Sequence, residues 1–381
     1  MGIFRVILLG LFVVVFVYVT HQLTRFAGLP LWEVLLANLF VLAILALVAS
    51  MPLFFWSERR LEHKPWHDRL FGGAHFGMAY INFLLSFVII RDIASFVASY
   101  SVPSFDVTVL YNADSLWIML LLPFILILLG NMVVRSGPRI KNVTLRFSNL
   151  PDGLKDLRVM HITDLHISSS VPVNFIEKLV KRVNHIKPDL IVYTGDILDS
   201  QASRHPKEFE LLTQMRAGLG NFYVPGNHEY YWNVDQALEA FNKIGFKILI
   251  NEATEVEING SSLQIAGVPD PASHTFHKEE PNFDKLASQL KPGSFKILLS
   301  HQPSLIKVSS TKGYDLQLSG HTHGGQFFPW NLLIGFFERY SKGLYKVNGM
   351  QLYVNQGTGY WGPSLRLGTY CELTVITLKK A

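Results

Sequence analysis

The feature that most restricts the fold is a succession of four apolar stretches in the first 135 residues. They lie at about residues 3–19, 31–51, 71–90 and 116–134. Each is close to the ~20 residues with which a helix crosses ~30 Å of hydrocarbon. The alternative is a set of buried helices in a large soluble domain, but four such stretches joined by short links are hard to cover with protein. The sequence therefore predicts an N-terminal bundle of four transmembrane helices.

The distribution of basic residues indicates the orientation of these helices. Basic residues follow the second and fourth stretches: Arg59, Arg60, Lys64, Arg69, Arg135, Arg139, Lys141 and Arg146. The link at 99–114, after the third stretch, contains no Lys or Arg. Because Lys and Arg accumulate in cytoplasmic loops, both termini and everything after residue 135 are predicted to be cytoplasmic.

Arg91 and Asp92 stand at the end of the third stretch. An ion pair inside the membrane would suggest a functional role. The interpretation we favour places the pair at the interface, where the span ends.

A change in composition marks the end of the membrane part. Ser136-Gly137-Pro138 interrupts the fourth helix, and charged residues become frequent directly after it. We therefore predict a transmembrane domain at 1–138 and a second domain at 139–381. The single cysteine, Cys371, excludes an intrachain disulfide and a thiolate zinc site. The formal net charge of +5 is modest and includes no basic run interleaved with aromatics, so no nucleic-acid partner is predicted.

The second domain alternates between strand and helix patterns and then becomes rich in strands. The predicted strands are 157–162, 190–193, 221–224, 247–250, 256–258, 263–266, 295–299, 316–318, 352–354 and 373–378. The predicted helices are 173–186, 205–215 and 235–244. This order is typical of two packed sheets flanked by helices.

Metal-binding residue types follow nearly every one of these strands. They are Asp164, His166, Asp196, Asn227, His228, His301, His321 and His323. Ligands bind beyond the carboxyl ends of strands in open α/β sheets, so these side chains are expected in one crevice. Residues i and i+2 of an extended chain point the same way, which would let both members of Asp-x-His and His-x-His reach one centre. Oxygen and imidazole ligands suit Mn, Zn, Fe or Mg without choosing among them.

The order and spacing of these motifs resemble the calcineurin-like metallophosphoesterase superfamily. The strings Thr-Asp-Leu-His, Pro-Gly-Asn-His-Glu and Gly-His-Thr-His-Gly-Gly-Gln are similar to its membrane-associated bacterial branch, the YkuE- and YaeI-like phosphoesterases. The resemblance extends from about residue 157 to the end of the chain. It implies a four-layer αββα sandwich of the α/β (α+β) class, a hydrolase of phosphate esters, and a location in the inner or plasma membrane of a bacterium.

The resemblance also assigns roles to individual residues. It implies two divalent metal ions, with Asp164, His166 and His323 as ligands of one, Asn227, His301 and His321 as ligands of the other, and Asp196 as the bridge between them. His228 resembles the histidine of the family that donates a proton to the leaving oxygen. Asp199 matches the acid that orients this histidine. Ser200-Gln201 replaces the Arg-Gly pair that continues the motif in phosphoprotein phosphatases, which argues against protein phosphatase activity.

The segment between Gln326 and Tyr345 is strongly apolar and directly follows the last metal-ligand turn. One interpretation is a loop that packs its own small core. The other is a hydrophobic lip that enters the bilayer or lines an acyl groove, with Phe327, Phe328, Phe336 and Phe337 as its contact residues.

Three functions remain open on the sequence alone. The favoured one is a membrane-bound phosphodiesterase or pyrophosphatase that acts on a lipid-linked phosphate. The second is the same chemistry on a soluble nucleotide, with the helices serving as an anchor. The third is a sensor or transporter subunit with a vestigial site.

Overall fold

The structure is a computed structural model that describes residues 2–25, 28–57, 65–102 and 104–381. The chain divides into two compact units, which we describe separately. The N-terminal unit comprises Met1–Asn131 with Gly362–Leu365, and the sheet unit comprises Met132–Trp361 with Arg366–Ala381. The boundary between residues 138 and 139 stays a prediction about domain organisation.

Long helices form the first part of the described chain. They are α1 (Gly2–Thr24), α2 (Leu31–Ser57), α3 (Pro65–Ser101) and α4 (Ala113–Arg135). Three contain stretches long and apolar enough to cross a membrane: Leu31–Met51, Trp66–Ser101 and Ala113–Arg135. In α1 the apolar stretch among the described residues, Gly10–Thr24, is shorter. The chain is thus a membrane protein with three candidate spans among the described residues, and the first predicted span, at 3–19, is not confirmed.

Helix α2 illustrates why these helices need lipid. Val41 and Leu45 are buried among apolar side chains of the same unit, whereas Leu39 and Leu42 on other faces of the helix are exposed. A helix that is apolar all round has no face suited to water. Lipid is a suitable surrounding for this surface, since the helical backbone makes all its hydrogen bonds within the helix.

The third helix extends beyond residue 90, the predicted end of its span, and the position of the bilayer along it stays a prediction. Helix α3 continues to Ser101, so Arg91 and Asp92 lie inside it rather than at its end. Arg91 is 5% exposed and its guanidinium lies 3.3 Å from the Asp92 carboxylate. The hydroxyls of Tyr18 and Tyr111 donate to the same carboxylate. The pair is therefore held within the helix packing. Arg59, Arg60 and Lys64, which contributed to the predicted orientation, lie outside the described residues.

The sheet unit contains every strand in the described part of the chain. The strands are β1 (Arg139–Phe147), β2 (Arg158–Ile162), β3 (Leu190–Thr194), β4 (Asn221–Val224), β5 (Lys247–Ile248), β6 (Glu252–Ile258), β7 (Ser261–Gly267), β8 (Phe295–Leu299), β9 (Leu316–Ser319), β10 (Gly343–Val347), β11 (Met350–Val354) and β12 (Glu372–Lys380). The helices are α5 (Val173–Ile186), α6 (Pro206–Leu212), α7 (Asn227–Trp232), α8 (Val234–Lys243), α9 (Phe283–Ala287), α10 (Ile306–Ser309) and α11 (Trp330–Phe337).

The strands form two six-stranded sheets. The first has the order β1-β12-β2-β3-β4-β5, and the second has the order β10-β11-β9-β8-β7-β6. β2 to β5 run parallel to one another, as do β7, β8, β9 and β11. Parallel strands of this kind are covered on both faces and therefore read as continuous apolar runs.

Alternating side chains of the strands build the layers. In β3, Leu190 and Val192 enter the core between the two sheets, whereas Ile191 and Tyr193 pack against α5 and its neighbours. Leu298 of β8 faces the outer core with α9 and α10. The order helix, sheet, sheet, helix confirms the predicted four-layer αββα sandwich. β1, β10, α11 and the short helices α7, α9 and α10 were not predicted. The loop expected between Gln326 and Tyr345 contains α11 and the start of β10.

Candidate metal centre

The predicted site residues follow strands whose carboxyl ends meet at one edge of the sandwich. Asp164 and His166 follow β2, Asp196 and Asp199 follow β3, Asn227 and His228 begin α7 after β4, His301 follows β8, and His321 and His323 follow β9. β2, β3 and β4 run parallel, as do β8 and β9. The structure therefore brings both sheets' motifs together.

The backbone at these motifs is not the extended chain expected from the sequence. Asp164 and His166 have φ values of +50° and +51°, and His321 and His323 have φ values of +75° and +51°. Left-handed backbone is uncommon outside glycine, although Asp and His are enriched there. Two strand-like hydrogen bonds, from the Asp164 and His166 amides to the carbonyls of Gly195 and Asp196, hold the first motif in place. The two side chains converge through strained turns and not through strand alternation.

One group of possible metal-binding atoms contains Asp164, His166 and His323, which lie within 4.8 Å of one another. The Nε2 atoms of His166 and His323 are 3.0 Å apart, and His323 Nε2 is 3.4 Å from Asp164 Oδ1. Two imidazole nitrogens and a carboxylate oxygen that face one point suit a shared cation.

A second group contains Asp196, His301 and His321, again within 4.8 Å. His301 Nε2 lies 3.1 Å from Asp196 Oδ2 and 3.2 Å from His321 Nδ1. Asn227 is 6% exposed, and its Oδ1 atom has no hydrogen-bond partner among the described residues. A buried acceptor without a donor is costly unless something else satisfies it, so this oxygen fits a cation as well.

Asp196 connects the two groups. Its carboxylate also lies in a third group with His166 and His228, and Oδ2 is 3.8 Å from His166 Nε2. Burial would raise the pKa of Asp196, but the neighbouring charges of His301 and His228 outweigh burial and lower it well below its usual range. The group is therefore an anion between two sets of donors.

The charge state of the histidines also suits cation binding. Burial, together with the charge of His301, lowers the pKa of His321 to about 4. Burial, together with the charge of His166, lowers the pKa of His323 well below its usual range. Both rings are thus neutral at physiological pH and present a free lone pair, as a metal ligand requires.

His301 is oriented by the last residue of β3, a strand of the other sheet. Its Nδ1 atom lies 2.7 Å from the carbonyl oxygen of Thr194, which fixes the proton on Nδ1 and directs Nε2 toward Asp196. Burial would lower the pKa of His301, but the Asp196 charge outweighs it and raises the pKa well above its usual value. A proton on Nε2 thus occupies the direction that a cation would take.

His228 and Asp199 form a separate pair beside these groups. His228 Nδ1 is 2.7 Å from Asp199 Oδ1, which also accepts a hydrogen bond of 2.8 Å from the Trp232 indole. The His228 amide donates to Asp196 Oδ1 at 2.8 Å. Burial opposes protonation of His228, yet the charges of Asp199 and Asp196 raise its pKa to about 9. The ring therefore carries one proton on Nδ1, donated to Asp199, and a second on Nε2, which lies 4.0 Å from Asp196 Oδ2.

Glu229 has a supporting position that the sequence reasoning did not identify. It is fully buried, and its carboxylate accepts the amides of Asp196, Ile197, Leu198 and Gly226 at 2.7–2.9 Å. Four buried donors thus depend on one side chain. Its place directly after Gly-Asn-His was the available signal.

Arg366 supports the other side of the site and was also missed. It is fully buried and donates to the carbonyl oxygens of His323, Gly357 and Gly359 at 2.7–3.3 Å. Its guanidinium also lies 3.2 Å from His323 Nδ1. A buried arginine needs such partners, but no pattern in the sequence distinguishes it from a surface arginine.

Two aromatic rings flank His228. The ring of Tyr231 lies 5.2 Å from that of His228, and the ring of Trp361 lies 5.9 Å from it. Trp361 is 42% exposed. His161, in contrast, lies outside the groups: it is fully buried, and Nε2 is 2.8 Å from the Thr194 hydroxyl.

Comparison with known proteins identifies the family to which this arrangement is similar. The sequence profile of the calcineurin-like phosphoesterases matches residues 157–325. This range contains every predicted site residue.

Three relatives illustrate the similarity. An uncharacterized metallophosphoesterase of Campylobacter jejuni is 34% identical over 244 residues, which cover 64% of this chain and 63% of that protein. The uncharacterized metallophosphoesterase YkuE of Bacillus subtilis is 30% identical, with 62% of this chain and 84% of that protein covered. A transmembrane protein with a metallophosphoesterase domain from Danio rerio is 32% identical, with 69% and 62% covered. The chain thus spans a little under two thirds of the Campylobacter and Danio proteins.

Proposed function

Since this chain belongs to the calcineurin-like metallophosphoesterase family, we propose that it is a membrane-bound dinuclear phosphoesterase that hydrolyses a phosphodiester or pyrophosphate. The family acts on phosphate esters with divalent metals. The observation that carries the proposal is the position of one buried carboxylate, Asp196, which belongs to the His301 group and lies 3.8 Å from His166 of the Asp164 group.

The residues that would hold the metals follow from the two groups. Asp164, His166 and His323 would bind one ion; Asn227, His301 and His321 would bind the other, and Asp196 would bridge them. The unpaired Oδ1 of Asn227 fits this assignment. Two such ions supply charge neutralisation at the phosphoryl oxygens and lower the pKa of an attacking water. The ions are of the Mn, Zn, Fe or Mg type, since oxygen and imidazole donors accept each of these.

His228 would act as the general acid. Nδ1–H donates to Asp199, and the raised pKa keeps the ring doubly protonated at neutral pH, so Nε2 carries a second proton. The hydrogen bond from its amide to Asp196 fixes His228 relative to the bridging carboxylate. Nε2 would therefore deliver a proton to the leaving oxygen, a step typically worth about 10²–10⁴ in rate.

We propose a lipid-linked phosphate as the substrate and the cytoplasmic face of a bacterial inner or plasma membrane as the location. The candidate spans support a substrate at the headgroup level. Arg135, Arg139 and Lys141 directly after the last span support the cytoplasmic side. A soluble nucleotide is the competing substrate class, for which the helices would be only an anchor.

Hydrolysis by the full-length chain in detergent tests this proposal. Two phosphodiesters are compared, one with an aryl and one with an alkyl leaving group, for the wild type, His228→Ala and a control, His185→Ala, at an exposed histidine. If His228 is the proton donor, His228→Ala retains metal and loses more rate on the alkyl ester, because an alkoxide needs the proton more. If His228 were a ligand, metal content would fall and both esters would lose rate equally.

Two further results would decide the larger question. A chain that binds no divalent metal and hydrolyses neither ester above the rate in buffer would leave only the sensor with a vestigial site. A panel of lipid-linked and nucleotide substrates in lipid vesicles would separate the two substrate classes by kcat/KM.

A further inference from the structure

Helix α11 presents an apolar surface that the sheet unit does not cover. None of its eight residues is buried. Phe336 is 85% exposed, Phe337 71%, Leu332 65% and Leu333 38%. Residues 332 and 336, and likewise 333 and 337, are one turn apart, and 333 and 336 are i and i+3, so the four side chains form one continuous face of the helix. Contiguous exposed apolar faces of this kind mark contact surfaces, whereas single exposed residues do not.

The small-core interpretation of this segment holds only at its ends. Phe327 before the helix and Tyr340 after it are buried, at 7% and 8% exposure. Phe327 is therefore not a contact residue of the lip, contrary to the expectation from the sequence. Between them, Trp330 and Phe337 are in ring contact at 6.4 Å, but both remain exposed, as do Leu332, Leu333 and Phe336.

The helix is firmly attached to the turn that contains the proposed ligand His323. Its first residue, Trp330, directly contacts Gly325, the last residue of that turn, where no side chain would fit. The carbonyl of Gln326 accepts hydrogen bonds from the Leu367 amide and the Thr369 hydroxyl. The exposed face thus belongs to a helix whose start is fixed by packing against the turn that contains His323.

Positive charge directly follows the apolar face. Residues 338–346 contain one acid, Glu338, and three bases, Arg339, Lys342 and Lys346. All three bases are exposed. Helices that lie in a membrane interface combine an apolar face with Lys and Arg that reach anionic headgroups.

The candidate spans of the same chain would anchor the sheet unit at a bilayer. The last candidate span ends at Arg135, and the first strand of the sheet unit begins at Arg139. A tether of three residues keeps the sheet unit at a high local concentration near lipid, so a weak interfacial contact suffices. We propose that α11 inserts Leu332, Leu333, Phe336 and Phe337 into the outer hydrocarbon of the bilayer, with the neighbouring bases on anionic phospholipid headgroups. This surface is independent of the proposed reaction.

Fluorescent labelling of the full-length chain in anionic phospholipid vesicles tests this contact. Cys371 is 1% exposed, so an introduced cysteine is labelled selectively. An environment-sensitive dye is placed at Phe336→Cys and Leu332→Cys, and at Glu239→Cys on α8 as the control. The side chain of Glu239 is 65% exposed. Substitutions at such exposed positions leave the fold intact.

We expect lipid carrying a shallow nitroxide to quench the dye at 336 and 332 severalfold more than at 239. Iodide in the buffer should quench in the reverse order. Equal access of iodide to all three positions, with no nitroxide quenching at 336, would overturn the proposal. Protection from iodide without nitroxide quenching would overturn it too, because a protein surface would then cover the helix. No outcome depends on turnover.

Discussion

A methyl group added at Gly195 should disable the site without a change to any proposed ligand. Gly195 lies between the end of β3 and Asp196 with φ +82°. A Cβ atom there would lie 2.5 Å from the Gly226 nitrogen, 2.6 Å from its Cα and 2.8 Å from His301 Nδ1. Ordinary contacts need about 3.4 Å at the packing density of protein interiors, so the Gly226 backbone must move by about 0.9 Å.

That displacement would disturb the binding site of the second proposed metal ion. Gly226 directly precedes Asn227 and His228, and His301 is displaced from the Thr194 carbonyl that orients it. A misplacement of about 1 Å at a reacting centre costs roughly 10²-fold in rate. We therefore expect Gly195→Ala to lose at least that factor in phosphodiester turnover and to bind less metal.

Gly245→Ala is the matched control. Its φ of +84° nearly equals that of Gly195, but a Cβ atom there meets nothing within 4 Å. Both substitutions carry the left-handed backbone penalty of about 1–2 kcal/mol, and only Gly195→Ala adds an overpacking cost of about 1–3 kcal/mol. Thermal unfolding and metal analysis of the full-length variants measure the difference. Wild-type metal content and turnover in Gly195→Ala would refute the reasoning.

Three further predictions concern residues around the site. Burial lowers the pKa of His161 to about 3. The stability that the neutral ring contributes is therefore complete above pH 6.5 and falls by about 5 kcal/mol in total as the pH drops toward 3. His161→Asn should flatten the decline in melting temperature between pH 7 and 5, and an unchanged slope would contradict this. Arg366→Lys keeps the charge, but a lysine cannot reach three separated carbonyls. We therefore expect a loss of about 3 kcal/mol in stability, measured as a lower melting temperature. Wild-type stability would contradict a stabilising role for the bonds from Arg366 to these carbonyls. Asp199→Asn removes the charge that raises the pKa of His228, so the alkaline limb of the pH–rate profile should move to lower pH; a limb that stays in place would exclude His228 as its origin.

The parts of the fold predicted correctly are those with buried, regular patterns. β3 and β8 are buried on at least one face along their whole length and read directly as apolar runs. β1 has just two buried residues among nine, so its polar sequence concealed a strand. β10 lies at the edge of its sheet with alternating exposure and was hidden for the same reason. β1 forms because it pairs with β12, which is distant in sequence. β10 forms because it pairs with β11 at the edge of the sheet. The local sequence pattern shows neither pairing.

The candidate site shows a similar division. Residue types and their order were enough to predict the cluster, since strand ends converge in such sheets. The conformation of the ligand turns was predicted incorrectly, because left-handed φ at Asp164 and His166 depends on hydrogen bonds to Gly195 and Asp196 from the next strand. Glu229 and Arg366 escaped prediction because their partners are backbone groups, which every sequence contains.

The number of divalent ions per chain tests the central claim most directly. The full-length protein is loaded with metal, dialysed and analysed by elemental mass spectrometry, together with Asp196→Asn and the control Asp235→Asn at a position with a 70% exposed side chain. We predict two ions per chain for the wild type and the control, and at most one for Asp196→Asn, because the proposed bridge belongs to the His301 group and lies 3.8 Å from His166 of the Asp164 group. A wild type without bound metal, or an Asp196→Asn variant that keeps two ions, would contradict the dinuclear account.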